Sequence, residues 1–154
     1  MAGAAGGHLE PVARNPWRIK EGVSRTFRAA SALHSEGMRR TVLIVDDHAR
    51  FRQAARALLE CDGYEIVGEA PDAAAGLLAC RRLRPAIVLV DIGLPDASGL
   101  DLANRLTAEA NPPDIVLISS RDQSDLGPLV DQAPARGFIP KADLSAAALE
   151  RVLR

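Results

Sequence analysis

Asp91 closes an apolar run, Ala86-Ile87-Val88-Leu89-Val90, and is followed by Ile92-Gly93-Leu94-Pro95-Asp96-Ala97-Ser98-Gly99. A carboxylate at the end of a buried strand is fixed by the sheet, while the Gly/Pro turn beyond it leaves it open to chemistry. Other strand-like runs end in the same way. Thr41–Val45 leads into Asp46-Asp47, Asp114–Ile118 into Ser119-Ser120, and Arg136–Pro140 into Lys141; only Tyr64–Gly68 delivers no reactive group apart from Glu69. Three acids, a hydroxyl and an amine therefore leave four strands at one end. Carboxylates gathered at one spot stay ionised only if a cation or hydrogen bonds compensate them. An all-oxygen cluster that no His or Cys joins suits Mg²⁺ rather than zinc. With Mg²⁺ bound, one Asp can attack phosphorus and form an acyl phosphate. A lysine and a hydroxyl then hold the phosphoryl oxygens. Asp91, Lys141 and Ser119 supply those parts.

The elements that must position these groups alternate from Thr41 onward. After Asp46-Asp47, the residues Phe51, Ala55, Leu58 and Leu59 recur at helix period, and Asp62-Gly63 stops the helix. Pro71-Asp72 opens a second helix from Ala73 to Arg84, closed by Pro85. Ser98 is a good N-cap for a third, with Asp101 placed to complete a capping box and Asn111-Pro112-Pro113 to end it. A last helix follows Asp143. The fourth is the weak one: Pro128 costs about 3 kcal/mol inside a helix unless it lies in the first turn. A short or irregular helix starting near Gly127-Pro128 and stopping near Pro134 is expected. Alternating strands and helices imply an α/β fold with a parallel sheet covered on both faces. Strand two is the most polar and suits an edge; strands one, three and four are nearly all apolar and suit the middle. Five strands in about 114 residues fit the flavodoxin-like order 2-1-3-4-5, whose site lies at the strand ends between strands one and three.

The 154 residues suit one domain with a core of Ala, Leu, Val and Ile, since aromatics make up 3%. Charge is unevenly spread. Residues 1–40 carry seven Lys/Arg against three Glu, and residues 41–154 carry twelve against seventeen acids. An acidic domain is a poor nucleic-acid binder by bulk electrostatics. Residues 1–40 read as a disordered basic extension, in which Trp17, Ile19, Val23 and Phe27 offer too little apolar surface to fold alone. Met38, just before the first strand, is a candidate translation start; a basic arm that meets a membrane surface or a partner is the rival reading. Cys61 and Cys80 have no metal spacing and read as free buried thiols. No run approaches a membrane span and no signal-peptide core opens the chain, so a cytoplasmic protein with no membrane partner is expected.

Taken together, in order and at these spacings, the residues resemble the receiver domain of two-component response regulators over essentially all of residues 41–154. Asp46-Asp47 are similar to its acidic pair, Asp91 to its phosphoacceptor, and Pro95 and Gly99 to the loop that follows. Ser119 is similar to its hydroxyl residue, Lys141 to its lysine, and Phe138 to its rotating switch aromatic. The resemblance implies Mg²⁺ held directly by Asp47, Asp91 and the backbone carbonyl of Gly93, with Asp46 acting mainly through water. It also implies a sensor histidine kinase or phosphotransfer protein as partner, an unnamed downstream protein, and room for a weak homodimer. Two departures stand out. Ala142 follows the lysine while Pro140 precedes it, and the proline-broken fourth helix puts the usual output face in doubt. With the sequence ending at Arg154, a stand-alone regulator without an output domain or direct DNA binding is expected.

The local alternatives are plain ones. Asp46-Asp47 could cap the first helix, Lys141 could be a solvated amine, and Phe138 could be edge-strand packing. Ser119 could bond its own backbone, as Ser120 is expected to do. His48, beside the acids, should start the first helix and face solvent instead of acting as a ligand or phosphate carrier. Among functions, a single-domain phosphoacceptor in a Mg²⁺-dependent phosphorelay leads, with no enzyme activity of its own. A phosphorylation-independent interaction module is the alternative. A phosphatase with an Asp nucleophile would want a second acid two residues on, where Gly93 stands. No GxGxxG follows the first strand, which disfavours dinucleotide binding.

Overall fold

The computed structural model describes residues 39–154, so the expectations about the basic extension and Met38 fall outside the described residues. The elements run β1 (Thr41–Val45), α1 (Ala49–Cys61), β2 (Glu65–Ala70), α2 (Ala73–Leu83), β3 (Ile87–Asp91), α3 (Gly99–Thr107), β4 (Asp114–Ser119), α4 (Gln123–Leu126), α5 (Pro128–Asp131), β5 (Gly137–Pro140), a 3₁₀ turn (Lys141–Asp143) and α6 (Ala146–Leu153). The five strands form one parallel sheet in the order β2-β1-β3-β4-β5. This is the expected flavodoxin-like order, with polar β2 at an edge. Burial alternates along β2, whereas β3 is buried at every position, as an edge and a central strand require.

The strand side chains part into two cores. Leu43, Val45, Val88, Val90, Ile115 and Leu117 meet α2 and α3 through Ala79, Leu102 and Leu106, and reach α5 through Val130. Val42, Ile44, Ile87, Leu89, Val116 and Ile118 meet α1 and α6 through Ala55, Leu59 and Leu149. With helices on both faces, the strand ends are what the sheet leaves open. α2 presses close to β1 at Gly76, where an added Cβ would lie 2.9 Å from Val45 Cγ1.

Most helix boundaries fall at the expected signals. Gly63, at φ 93°, closes α1, and Arg84 takes a left-handed conformation before Pro85 to close α2. Four boundaries differ. The Ser98 hydroxyl accepts from Leu100 N at 3.2 Å, one residue short of the amide a capping box uses. α3 ends at Thr107, which folds its hydroxyl onto the carbonyls of Ala103 and Asn104, well before Asn111. The last helix is capped by Ser145, whose hydroxyl accepts from Ala148 N at 3.0 Å, while Asp143 belongs to the preceding 3₁₀ turn. The fourth helical region is short and irregular, as Pro128 demands, but Gly127 at φ 52° splits it into two single turns. The earlier of these, Gln123–Leu126, lies ahead of the expected start.

Candidate functional site

Asp46, directly after β1, is fully buried and is fixed at its backbone and at both carboxylate oxygens. Its N–H donates to the Ala70 carbonyl at the end of β2 at 2.9 Å, and its own carbonyl accepts from Arg52 Nη1 at 2.6 Å. Its Oδ1 accepts from His48 N at 2.7 Å, and its Oδ2 lies 2.5 Å from Lys141 Nζ. His48 is the N-cap residue of α1 and its side chain makes no capping bond; among the described residues, Asp46 and Asp47 do not bond the first-turn amides either. Asp47 is a third exposed at its side chain and faces the open end of the sheet.

Asp91 is the last residue of β3 and is 4% exposed. Its Oδ2 accepts from Lys141 Nζ at 3.1 Å and its Oδ1 from Gly93 N at 3.1 Å. The turn beyond it closes through Gly99 N to the Ile92 carbonyl at 2.9 Å. Gly99 has no room for a side chain: a Cβ there would sit 2.1 Å from the Asp91 carbonyl oxygen. Lys141 follows β5 directly, keeps 13% of its side chain exposed, and lies 4.7 Å from the Phe51 ring centroid. Burial alone would lower its pKa, but the carboxylates of Asp46 and Asp91 outweigh that and raise it above the usual lysine value. It is no freely solvated amine.

Ser119 ends β4 and is buried at 6% exposure. Its Oγ accepts from Arg121 N at 3.1 Å. The local backbone bond expected of Ser120 is therefore made by Ser119, because the chain turns immediately after the buried strand residue and leaves Ser120 exposed. Phe138 pairs with Leu117 across β4 and β5, is half-buried, and packs on the α2–α3 side of the sheet. Strand alternation puts Ser119 on the same face, two residues beyond Leu117.

Sequence reasoning underrated three groups. His48 is exposed, as expected, yet its Nδ1 lies 2.9 Å from Asp47 Oδ1 and 3.2 Å from Asp46 Oδ1, so a histidine does border the acidic cluster. Glu69, at the end of the one strand without reactive groups, accepts from Arg56 Nη2 at 2.7 Å and lies 3.4 Å from Arg52 Nε as an ion pair. Only the four-residue spacing of Arg52 and Arg56 on α1 hinted at this anchor. Cys61 is exposed at the end of α1, against the expectation of two buried thiols; Cys80 is buried as expected.

Asp46, Asp47, His48 and Asp91 offer ligand atoms that all lie within 4.8 Å of one another. Three carboxylates face one ammonium there, an excess of negative charge supplied mainly by hard oxygen donors. That donor set fits Mg²⁺. Among the described residues, no helix is long and apolar enough to cross a membrane.

The chain is 38% identical over 102 residues to the nitrate/nitrite response regulator protein NarP of Escherichia coli, covering 65% of this chain and 47% of that protein. It is 32% identical over 101 residues to the response regulator GacA of Pseudomonas protegens, covering 65% and 47%. A crystal structure of a LuxR-family two-component response regulator from Aurantimonas sp. superposes with a TM-score of 0.67 at 28% identity, covering 75% of this chain and 85% of that one. The chain thus spans about half the length of the curated relatives it matches. Residues 42–153 match the response regulator receiver domain, and the chain belongs to that family of phosphorylation-switch modules.

Proposed function

We propose that Asp91 is the phosphoacceptor of a Mg²⁺-dependent phosphorelay, charged by a histidine kinase or phosphotransfer protein. The observation that carries this reading is Asp91 itself: a buried carboxylate at the end of the central strand, bonded to Lys141 and clustered with Asp46 and Asp47. An Asp91 carboxylate oxygen forms a bond to phosphorus as the P–N bond of the partner's phosphohistidine breaks, and the imidazole leaves with the electron pair. Asp47, Asp91 and the Gly93 carbonyl would hold Mg²⁺ directly, with Asp46 acting through water. Bound there, the ion neutralises phosphoryl oxygens during transfer.

The chain's own residues do the rest. Lys141 already points at Asp91 and can exchange a carboxylate for a phosphoryl oxygen, a charge-assisted contact stronger than a neutral hydrogen bond. The Ser119 hydroxyl accepts from Arg121 N and retains its own proton to donate toward the phosphoryl group. Movement of Ser119 would free space for Phe138 on the same sheet face and carry the change to β5. The described domain's acidic balance supports action through a protein partner and without direct DNA contact by this domain. NarP and GacA are each about twice the matched length.

Incubation with Mg²⁺ and acetyl phosphate followed by intact mass measurement tests the core of the proposal. One added phosphoryl group is expected, and none on Asp91→Asn. Full labelling of that variant would remove Asp91 as the acceptor; no labelling of the parent chain by either acetyl phosphate or a phosphorylated histidine partner would favour a phosphorylation-independent module.

A further inference from the structure

The turn after Asp91 reaches across to another element through one side chain. Asp96 Oδ1 accepts from Ala73 N at 2.8 Å and Asp96 Oδ2 from Ala74 N at 3.0 Å. These are the first two amides of α2. The next two are satisfied locally, Ala75 N by the Asp72 carboxylate at 2.8 Å and Gly76 N by the Asp72 carbonyl at 2.9 Å. A helix leaves its first four N–H groups without internal partners. In α2 half of that set is filled by a residue from a loop more than twenty positions away. Those two N–H groups hold the Asp96 carboxyl below its ordinary pKa.

The position of Asp96 matters because of what precedes it. Gly93, three residues earlier, is exposed, and its N–H donates to Asp91 Oδ1 at 3.1 Å. The turn is pinned at its far end by Gly99, packed on the Asp91 carbonyl, and in between by Leu94, 9% exposed in the core beneath α2 and α3. Asp96 makes the hydrogen bonds that join this turn to α2, an element that does not adjoin it in sequence. Along the chain, Gly93 thus lies between two anchored carboxylates, Asp91 accepting from its N–H and Asp96 tying the turn to α2.

We infer that Asp96 is a positioning residue for metal binding: its bridge to the N-terminus of α2 holds the 92–99 turn in the form that presents Gly93 beside Asp91. This rests on the metal reading given above and adds to it a residue that does not touch the ion. If the bridge favours the metal-competent turn, bound Mg²⁺ must favour the bridge by the same factor, because coupling between two binding events is reciprocal. The interaction of one carboxylate with a helix N-terminus sets the scale, an effect on metal affinity of about two- to fivefold.

The test is an NMR titration of the full chain with MgCl₂, followed by amide hydrogen exchange with and without the ion. In the parent chain, Mg²⁺ should shift the amides of Asp47, Asp91 and Gly93 and slow exchange at Ala73 and Ala74. In Asp96→Ala the response at Ala73 and Ala74 should vanish, and half-saturation should need about two- to fivefold more Mg²⁺. Asp96→Asn keeps a neutral acceptor and should fall between; it also serves if the alanine variant folds poorly. A residue that merely stabilised α2 would change exchange at Ala73 and Ala74 without making it depend on Mg²⁺. Site amides that move while Ala73 and Ala74 stay unchanged would overturn the role of Asp96 and leave the metal site standing. Unchanged half-saturation in both variants would do the same. No shift at any site amide would overturn both readings.

Discussion

Lys141 Nζ lies 2.5 Å from Asp46 Oδ2 and 3.1 Å from Asp91 Oδ2, so one ammonium bridges the acid after β1 to the acid that ends β3. The bridge joins the neighbouring strands β1 and β3 at the point where the chain's direction of winding reverses. It also means that the lysine is engaged before any phosphoryl group arrives.

Lys141→Ala should therefore destabilise the metal-free domain. Without the ammonium, Asp46 stays fully buried beside Asp91 and loses its cation, which costs about 1–3 kcal/mol. Added Mg²⁺ should recover most of that loss in the variant and shift the parent chain less. Thermal melts with and without Mg²⁺ check this. The pH sign follows from the raised lysine pKa. The lysine's contribution is complete below about pH 10, the ordinary value for an unfolded lysine, and fades as pH climbs through the higher folded value. In relay assays, Lys141→Ala should impair partner binding after phosphorylation more than labelling of Asp91.

Gly99→Ala should be far more damaging than a typical surface change. Its Cβ would meet backbone atoms of Asp91 and Ile92 at 2.1–2.8 Å, with no flexible side chain to move aside. Destabilisation at or above about 3 kcal/mol is expected, the upper end for overpacking. Urea unfolding measures it. Gly76→Ala meets side-chain methyls of Val45 at 2.9 and 3.0 Å, which can shift, so a smaller loss of about 1–2 kcal/mol is expected.

Glu69→Ala should loosen the start of α1 by leaving Arg52 and Arg56 as neighbouring cations. These side chains keep 12% and 25% exposure, so a loss of about 1–2 kcal/mol is expected. A double-mutant cycle of Glu69→Ala with Arg52→Ala should return a coupling near 1 kcal/mol. Additive losses would show that the two side chains act independently.

The two thiols should react in sequence. Cys61 is exposed, while burial pushes the Cys80 thiol up to about 11. At pH 8 a chromogenic disulfide should modify one thiol quickly and the second only on unfolding. A raised thiol pKa favours the protonated folded form. Its contribution is complete below about pH 8.5 and is lost as pH rises toward the folded value.

The strand ends were legible because the central strands are buried on both faces, so each appears as an unbroken apolar run with one polar residue at its close. β3 and its Asp91 are the clearest case. The two short turns around Gly127 were only partly legible: Pro128 marks a helix start, but a four-residue turn ahead of it has no hydrophobic period to detect. Ser119 and Ser120 differ only in burial, which sequence adjacency hides. Arg52 reaching a backbone carbonyl and Asp96 reaching two amides were not legible at all. Such contacts join a side chain to main-chain groups brought near by the fold, and main-chain groups carry no residue-type signal.

The broken helical stretch between β4 and β5 has an energetic meaning beyond its shape. A single helical turn fixes several dihedrals for one hydrogen bond, so neither α4 nor α5 sustains itself without packing. Val130 is the buried anchor of α5, α4 has none, and Leu129 stands 61% exposed. The stretch should therefore open locally at a fraction of the free energy needed to unfold the sheet, and its amides should exchange first among residues 39–154. Because it begins just after Ser119, a displacement there spreads into a segment with little packing enthalpy to lose. Two arrangements of this corner can then lie close in free energy, so a modest difference in their affinity for a partner is enough to choose between them.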